Sequence, residues 1–146
     1  MNTLETGISG DRVLHLIVPA KAEFLSLVRL AVASVACEVG FTEENVADIK
    51  VALSEASTNV VRHAYPTASK SEDRVIEINC YEEPGSLQIE VSDRGCGIPL
   101  PPPATEGLGL GIMGSLMDRV NVETGSSGTS VLLVKSPTAN RQSSHA

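Results

Sequence analysis

The sequence predicts an α/β sandwich of the α+β class, in which a mixed, largely antiparallel sheet carries helices on one face. The predicted order of elements, β-α-α-β-β-α-β-β, cannot give an all-parallel sheet, because successive strands are joined by short hairpins. The length of 146 residues fits one domain, and 42% hydrophobic with 20% charged residues is typical of a chain that folds. We expect a single domain at residues 1–135 and a disordered tail at 136–146.

The first half of the chain predicts one strand and two helices. Residues 13–19 are rich in β-branched side chains and end in a proline, which is typical of a strand. Apolar residues then recur at helical spacing from residue 20 to 39, and Gly40 stands where a helix is capped. Thr42 is the expected start of a second helix that ends before Pro66. The predicted buried stripe of this helix is Val46, Ile49, Leu53, Ala56 and Val60.

The second half predicts two hairpins separated by a loop and a third helix. Ile76 and Ile78 alternate with polar residues and should face the core. Glycines and prolines between residues 93 and 107 exclude regular structure there, so this segment should form a lid. The remaining elements are strands at 74–81 and 86–92, a helix at 108–119 and strands at 120–123 and 129–135.

Charge and cysteine usage exclude several classes of protein. The formal net charge is −7 and Lys and Arg form no cluster, so we expect no direct binding of nucleic acid. Three cysteines without a metal-ligand spacing indicate reduced thiols in a cytoplasmic protein, and we expect the Cys96 thiol to be buried. The N-terminus does not resemble a signal peptide, and no apolar run is long enough for a membrane span.

An acidic residue and an amide lie one turn apart on the second predicted helix. Glu55 and Asn59 are separated by four residues, so they share a face away from the buried stripe. A carboxylate can act as a general base and an amide oxygen can bind Mg²⁺. Such a pair alone is equally typical of a solvated helix flank.

Two glycine-rich segments follow the predicted hairpin. In Asp93-Arg-Gly95-Cys-Gly97 the glycines allow backbone to approach a ligand closely, although Asp and Gly also suit an ordinary turn. Gly107-Leu-Gly109-Leu-Gly111 runs into a helix, whose free N–H groups favour an anion such as triphosphate. Neither a dinucleotide-binding βαβ unit nor a Gly-Lys-Ser/Thr phosphate loop is present.

These motifs, taken in order, resemble the nucleotide pocket of the GHKL ATPases, the family with the Bergerat-type ATP-binding fold. Residues 49–65 and 111–120 are similar to the bacterial anti-sigma serine kinases, and the resemblance covers nearly the whole chain. It rests on Glu55-x-x-x-Asn59, Asp93-x-Gly95-x-Gly97, Gly107-x-Gly109 and Gly128-Thr129.

The resemblance implies roles in binding Mg²⁺-ATP. Glu55 would be the base facing a serine hydroxyl, and Asn59 would bind Mg²⁺. Asp93 would hold the adenine amino group, helped through water by Thr129. Arg62, one turn past Asn59, could reach phosphate, whereas His63 is expected to cap or pack near the helix end. The glycines expected at the nucleotide are Gly95 and Gly97 beside the base and Gly107, Gly109 and Gly111 beside phosphate.

The resemblance also implies protein partners. Such proteins sequester a sigma factor and phosphorylate a serine of an anti-sigma-antagonist protein, and Arg29 aligns with a partner-contacting position. Relatives of this kind pair, so a homodimer is an open alternative. The family usually has an Arg before Gly-x-Gly where this chain has Thr105-Glu106, and this difference favours a second hypothesis, a nucleotide-dependent switch without kinase activity. The ATP-binding half of a histidine kinase fits less well, because no helical hairpin with a phospho-acceptor histidine precedes the pocket.

Overall fold

A five-stranded antiparallel sheet forms the centre of the protein. The computed structural model describes residues 8, 10–65, 73–97 and 109–137. The strands are β1 (Asp11–Pro19), β2 (Val75–Glu83), β3 (Ser86–Asp93), β4 (Arg119–Gly125) and β5 (Gly128–Lys135). Their order is β1-β2-β3-β5-β4, and every neighbouring pair is antiparallel. The largely antiparallel sheet is confirmed, and the described strands include no parallel pair that would make it mixed.

Three α-helices accompany the sheet. They are α1 (Leu25–Val39), α2 (Glu43–Asn59) and α3 (Leu110–Leu116), with a 3₁₀ turn at Ala22–Phe24 before α1 and a π-helical turn at Val60–Ala64 after α2. The predicted third helix extends too far, since Met117 is extended at φ −107° and ψ 157° and the chain enters β4 two residues later. None of these helices is long and apolar enough to span a membrane within the described ranges.

Local sequence signals explain where α1 ends and α2 begins. Gly40 adopts φ +104°, and its N–H donates to the carbonyls of Ala36 and Cys37, as expected at a glycine cap. Two residues later the Thr42 hydroxyl accepts a hydrogen bond from the Asn45 amide at 3.1 Å. The helices are thereby joined by a short, fully capped connection, and both predicted caps are confirmed.

The core lies between the helices and one face of the sheet. Ile76 and Ile78 are fully buried, so the predicted orientation of β2 is confirmed. On α2, Ile49, Leu53, Ala56 and Val60 are buried, whereas Val46 is only partly buried. The other fully buried residues of α1 and the strands are Val28, Val32, Ala36, Cys80, Leu87, Ile89 and Leu133.

The opposite face of the sheet carries polar side chains that bond to one another. Arg12 donates to Asn79 at 3.3 Å, and Asn79 donates to Glu90 at the same distance. Ser130 donates to the other oxygen of Glu90 at 3.1 Å. These residues alternate along their strands with core residues, which agrees with helices packed on one face only.

A buried lysine holds α3 in place. Lys135 lies at the end of β5 with its side chain 8% exposed, and its ammonium group donates to the carbonyl of Leu116 at the end of α3. It also lies 3.4 Å from a carboxylate oxygen of Asp48 on α2. Because a buried ammonium group needs such partners, this contact ties α3 to α2 and to the sheet.

Candidate functional site

A cavity lies between the last turns of α2 and the sheet. Its wall is largely apolar, with Asn59, His63, Asp93 and Thr129 as the polar members. Valines and alanines from α2, the π-helical turn and the three strands β3, β4 and β5 form the rest, together with Leu110 at the start of α3. These residues are Ala56, Val60, Ala64, Val91, Val122 and Val131. An apolar cavity with few convergent polar groups is the usual form of a small-molecule site.

Asp93 is the carboxylate in this cavity, and two backbone amides hold it. Its Oδ1 accepts hydrogen bonds from Gly95 N at 2.9 Å and from Thr129 N at 3.2 Å. Burial raises the pKa of the Asp93 carboxyl above its usual value, while these two hydrogen bonds oppose the rise. With Oδ1 saturated by these bonds, Oδ2 is the oxygen suited to accept a hydrogen bond from a ligand.

Three glycines allow the backbone around Asp93 to pack. A Cβ on Gly95 would lie 1.9 Å from the Ala64 carbonyl oxygen, and one on Gly97 would lie 2.4 Å from that of Gly125. Gly97 also adopts φ +90°. The predicted close approaches at these two glycines are therefore made to the protein's own backbone, and their contact with a ligand stays a prediction.

Gly128 is the third of these glycines, and the sequence motif did not indicate its close approach to the backbone of Asp93. A Cβ there would lie 2.2 Å from the carbonyl oxygen of Asp93, and its φ is +134°. It precedes Thr129, whose hydroxyl lies 2.8 Å from that of Thr124. Gly128 thus lets β5 approach β3 closely enough for the Thr129 amide to reach Asp93.

Asn59 and Glu55 on α2 contact different parts of the candidate site. Asn59 lines the cavity, whereas Glu55, one turn earlier, is not part of that wall in the described chain. Glu55 instead packs against Gly109, where a Cβ would lie 2.4 Å from Glu55 Oε1. The helix therefore brings the amide beside the cavity and the carboxylate beside the start of α3.

The predicted anion loop is only partly described. Gly107 and the lid segment around Thr105 and Glu106 lie outside the described residues. Gly109 adopts φ +68° immediately before α3, and Gly111 is exposed within it with open space around its Cα. Gly109 places the end of this loop beside Glu55, and the contact of the loop with phosphate stays a prediction.

The π-helical turn after Asn59 decides which of the following side chains faces the cavity. His63 lines the cavity near the helix end, while Arg62 is exposed and is not among the lining residues described. π-turns recur at functional sites. The contact of Arg62 with phosphate stays a prediction.

Arg29 lies on α1, away from the cavity. Its guanidinium donates to Ser26 at 3.1 Å and to Ser54 on α2 at 3.4 Å. Leu27 and Leu30 on the same helix are 46% and 66% exposed. The structure thus places Arg29 on an outer helical surface with exposed apolar neighbours, which is separate from the candidate nucleotide site.

The three cysteines are free, but their surroundings differ from one another. Burial raises the pKa of the Cys80 thiol to about 12, so it is inert. Cys96 is exposed, so the expectation of a buried thiol is wrong. The turn that contains Cys96 contacts the Ala64 carbonyl through both the Cys96 backbone amide, at 3.2 Å, and the Cys96 thiol, at 3.9 Å.

Comparison with known proteins agrees with this geometry. Residues 18–135 match the family described as Histidine kinase-like ATPase domain. The chain is 35% identical to the serine-protein kinase RsbW of Bacillus velezensis and 32% identical to that of Bacillus subtilis strain 168, in both cases over 81% of each chain.

Solved structures share the fold. A crystal structure of the RsbU and RsbW domains of Rv1364c from Mycobacterium tuberculosis is 26% identical with a TM-score of 0.67 over 84% of this chain and 31% of that larger chain. The histidine kinase domain of a blue-light activated histidine kinase from Erythrobacter litoralis EL346 is 23% identical with a TM-score of 0.58, covering 86% of this chain and 64% of that one. The chain belongs to the histidine kinase-like ATPase domain family.

Proposed function

We propose that this chain binds Mg²⁺-ATP and acts as a protein serine kinase and anti-sigma factor. It would phosphorylate a serine of an antagonist protein and sequester a sigma factor. The observation that carries this proposal is Asp93, held by two backbone amides in an apolar cavity that Asn59 also lines. The relatives named as serine-protein kinases support the choice of phosphoryl acceptor.

The adenine ring fits the apolar part of the cavity. The valines on β3, β4 and β5, with Ala56 on α2 and Ala64 in the π-helical turn, offer apolar walls. Asp93 Oδ2 would accept a hydrogen bond from the adenine amino group. Thr129, 7% exposed, would assist through a bridging water, because its hydroxyl lies in the same wall.

The triphosphate would extend from this ring toward Asn59 and the start of α3. Backbone N–H groups at Gly107, Gly109 and Gly111 would face phosphate oxygens, and Arg62 would approach from the π-helical turn. The Asn59 amide supplies an oxygen suited to Mg²⁺, and the described residues contain no cluster of three potential metal ligands. A Mg²⁺ ion held by Asn59 and the phosphate oxygens fits this donor set, and it would neutralise phosphate charge.

Glu55 would act on the acceptor serine. Its carboxylate would accept the hydroxyl proton while the serine oxygen forms a bond to the γ-phosphorus. The bond from the γ-phosphorus to its bridging oxygen breaks, and ADP leaves with that oxygen. The position of Glu55 beside Gly109 supports this role, because the base lies next to the predicted γ-phosphate end of the loop.

Arg29 would contact a protein partner rather than nucleotide. Arg29 is not among the cavity-lining residues described, and the exposure of Leu27 and Leu30 beside it supports a role in protein binding. The partners proposed are a sigma factor and an antagonist protein in the cytoplasm, and the chain itself would form a homodimer. Gel filtration with light scattering measures directly whether the chain forms a homodimer.

Nucleotide binding is tested most directly at Asp93. In an Asp93→Asn protein the amide oxygen keeps the bonds from Gly95 and Thr129, but its NH₂ group opposes the adenine amino donor. We expect Mg²⁺-ADP affinity to fall about 30-fold, or about 2 kcal/mol, by calorimetric titration. An Asp11→Asn control, exposed on β1, should bind as the unmodified chain does. Equal affinity in both variants would remove Asp93 from the site.

Nucleotide affinity should also depend on pH through Asp93. Burial raises the pKa of the free carboxyl, and an adenine amino donor favours the ionised form, so the pKa of Asp93 is lower in the complex. The Mg²⁺-ADP association constant should therefore fall as pH drops through this raised pKa. Titrations from neutral pH down toward the usual aspartate pKa measure the effect. His63 also lines the cavity, so Asp93→Asn is the reference variant, and an identical profile there would contradict the prediction.

A nucleotide-dependent switch without phosphoryl transfer is the second candidate. The absence of an Arg at Thr105-Glu106 favours it, because phosphoryl transfer depends on cations near the γ-phosphate. Partner binding that still responds to nucleotide in a Glu55→Ala protein would support this alternative. Loss of the response in that protein would favour phosphoryl transfer with Glu55 as the base.

A further inference from the structure

The hydroxyl of Tyr65 closes the end of the ladder between β2 and β3. The last pair joins Ile76 to Asp93, and Val75 and Arg94 would be the next. Instead, the amides of both residues donate to the Tyr65 hydroxyl, Val75 at 3.1 Å and Arg94 at 2.9 Å. Tyr65 in turn donates to the Val75 carbonyl at 2.6 Å. Its one proton and two lone pairs are all in use.

The turn after Asp93 is held by three consecutive amides. Arg94 N donates to Tyr65, Gly95 N donates to Asp93 Oδ1 at 2.9 Å, and Cys96 N donates to the Ala64 carbonyl at 3.2 Å. Two of these acceptors belong to residues 64 and 65, at the end of the π-helical turn that follows α2. The close approach of Gly95 to Ala64, which no larger residue could make, belongs to the same contact.

These contacts connect the end of α2 to the turn that holds Asp93. Asn59 ends α2, and the π-helical turn leads from it to Ala64 and Tyr65. Tyr65 and Ala64 then hold the turn whose Gly95 amide orients the Asp93 carboxylate. The contact lies behind the cavity wall, and Tyr65 itself is not among the lining residues described.

We propose that Tyr65 is a positioning residue for the nucleotide site, whose hydroxyl holds the Asp93–Gly95 turn against the end of α2. This inference rests on the proposed binding of adenine nucleotide at Asp93. Without the hydroxyl, the Arg94 amide has no acceptor at that point and the turn can move away from Ala64. The Gly95 amide then orients Asp93 less well, although the apolar cavity is unchanged.

The test compares Tyr65→Phe with Tyr81→Phe in the full chain. Tyr81 is the other tyrosine and lies on β2 next to Arg12 and Glu90, on the polar face of the sheet. Mg²⁺-ADP affinity is measured by calorimetry across pH, and exchange of the Arg94 amide is followed by NMR. We expect Tyr65→Phe to weaken binding about tenfold, to speed exchange of this amide and to raise the pH midpoint of binding. Tyr81→Phe should change none of the three.

If Tyr65 has a purely structural role, Tyr65→Phe lowers the free energy of unfolding in urea but leaves the ADP affinity and its pH midpoint unchanged. That result would overturn the proposal. A second variant, Gly95→Ala, displaces the same turn while keeping the hydroxyl, so it should shift affinity and midpoint in the same direction. If Tyr65→Phe does not fold, an unchanged midpoint in Gly95→Ala overturns the proposal instead. Absence of ADP binding to the unmodified chain would show that the proposed function itself fails.

Discussion

Glu55→Gln is expected to abolish phosphoryl transfer while leaving nucleotide binding intact. Glutamine has the size of glutamate and can keep the packing against Gly109, but it cannot accept the proton of the serine hydroxyl. Loss of a general base slows such reactions about 10³-fold. The rate is measured as labelled phosphate transferred from Mg²⁺-ATP to the antagonist protein, and Mg²⁺-ADP affinity is measured on the same samples.

Glu44→Gln is the matched control for this experiment. Glu44 is exposed in the first turn of α2, far along the helix from the cavity, and its replacement removes the same charge. We expect an unchanged transfer rate in this variant. Transfer by the Glu55→Gln protein at a rate near that of the control would show that Glu55 is not the base. Transfer that is absent even from the unmodified chain would favour the switch without chemistry.

Gly109→Ala is expected to lower phosphoryl transfer about 100-fold, because the added Cβ competes with the catalytic carboxylate for space. That Cβ would lie 2.4 Å from Glu55 Oε1 and 3.0 Å from Glu55 Cβ. The backbone at φ +68° also disfavours alanine by about 1 kcal/mol. Either Glu55 or the start of α3 must move, and a displacement of about 1 Å at a reacting group can cost 10²-fold in rate.

Gly114→Ala provides the comparison within the same helix. Gly114 is exposed in α3, and nothing lies within 4 Å of an added Cβ. Alanine there should stabilise the helix slightly and leave transfer unchanged. Urea unfolding of both proteins separates loss of activity from loss of folding. Equal transfer rates for the two variants would contradict a steric link between Gly109 and Glu55.

Local sequence signals were reliable where short-range physics decides the structure. The Gly40 cap and the Thr42 cap depend on residues within one turn, so both could be read directly. The burial of Ile76 and Ile78 follows from alternation along a strand. The predicted third helix ends later than the observed one. The apolar residues near Met117 also suit a strand, and the chain enters β4 shortly after them.

The site was predictable in its motifs but not in its contacts. Val91 and Asp93 stand two apart on β3, so alternation could have indicated that both face the same cavity. Tyr65 lies in the segment that resembles the anti-sigma serine kinases, but the sequence predicted no contact for it, and the position of His63 in the cavity wall depends on a π-helical turn that no local pattern predicts. Gly95 was expected at a ligand, yet the residue it approaches is Ala64, more than thirty positions away in the chain.

The class of fold and the helix caps follow from the sequence alone, and so do the motifs that predict the candidate nucleotide site. These features depend on periodicity, turn chemistry and motif order, which are local properties of the chain. Only the tertiary structure decided that Asp93 is held by Gly95 and Thr129, that Glu55 packs on Gly109 and that Tyr65 joins the ends of β2 and β3. These contacts arise when the sheet brings distant segments together, and a single sequence does not show which distant segments will be in contact.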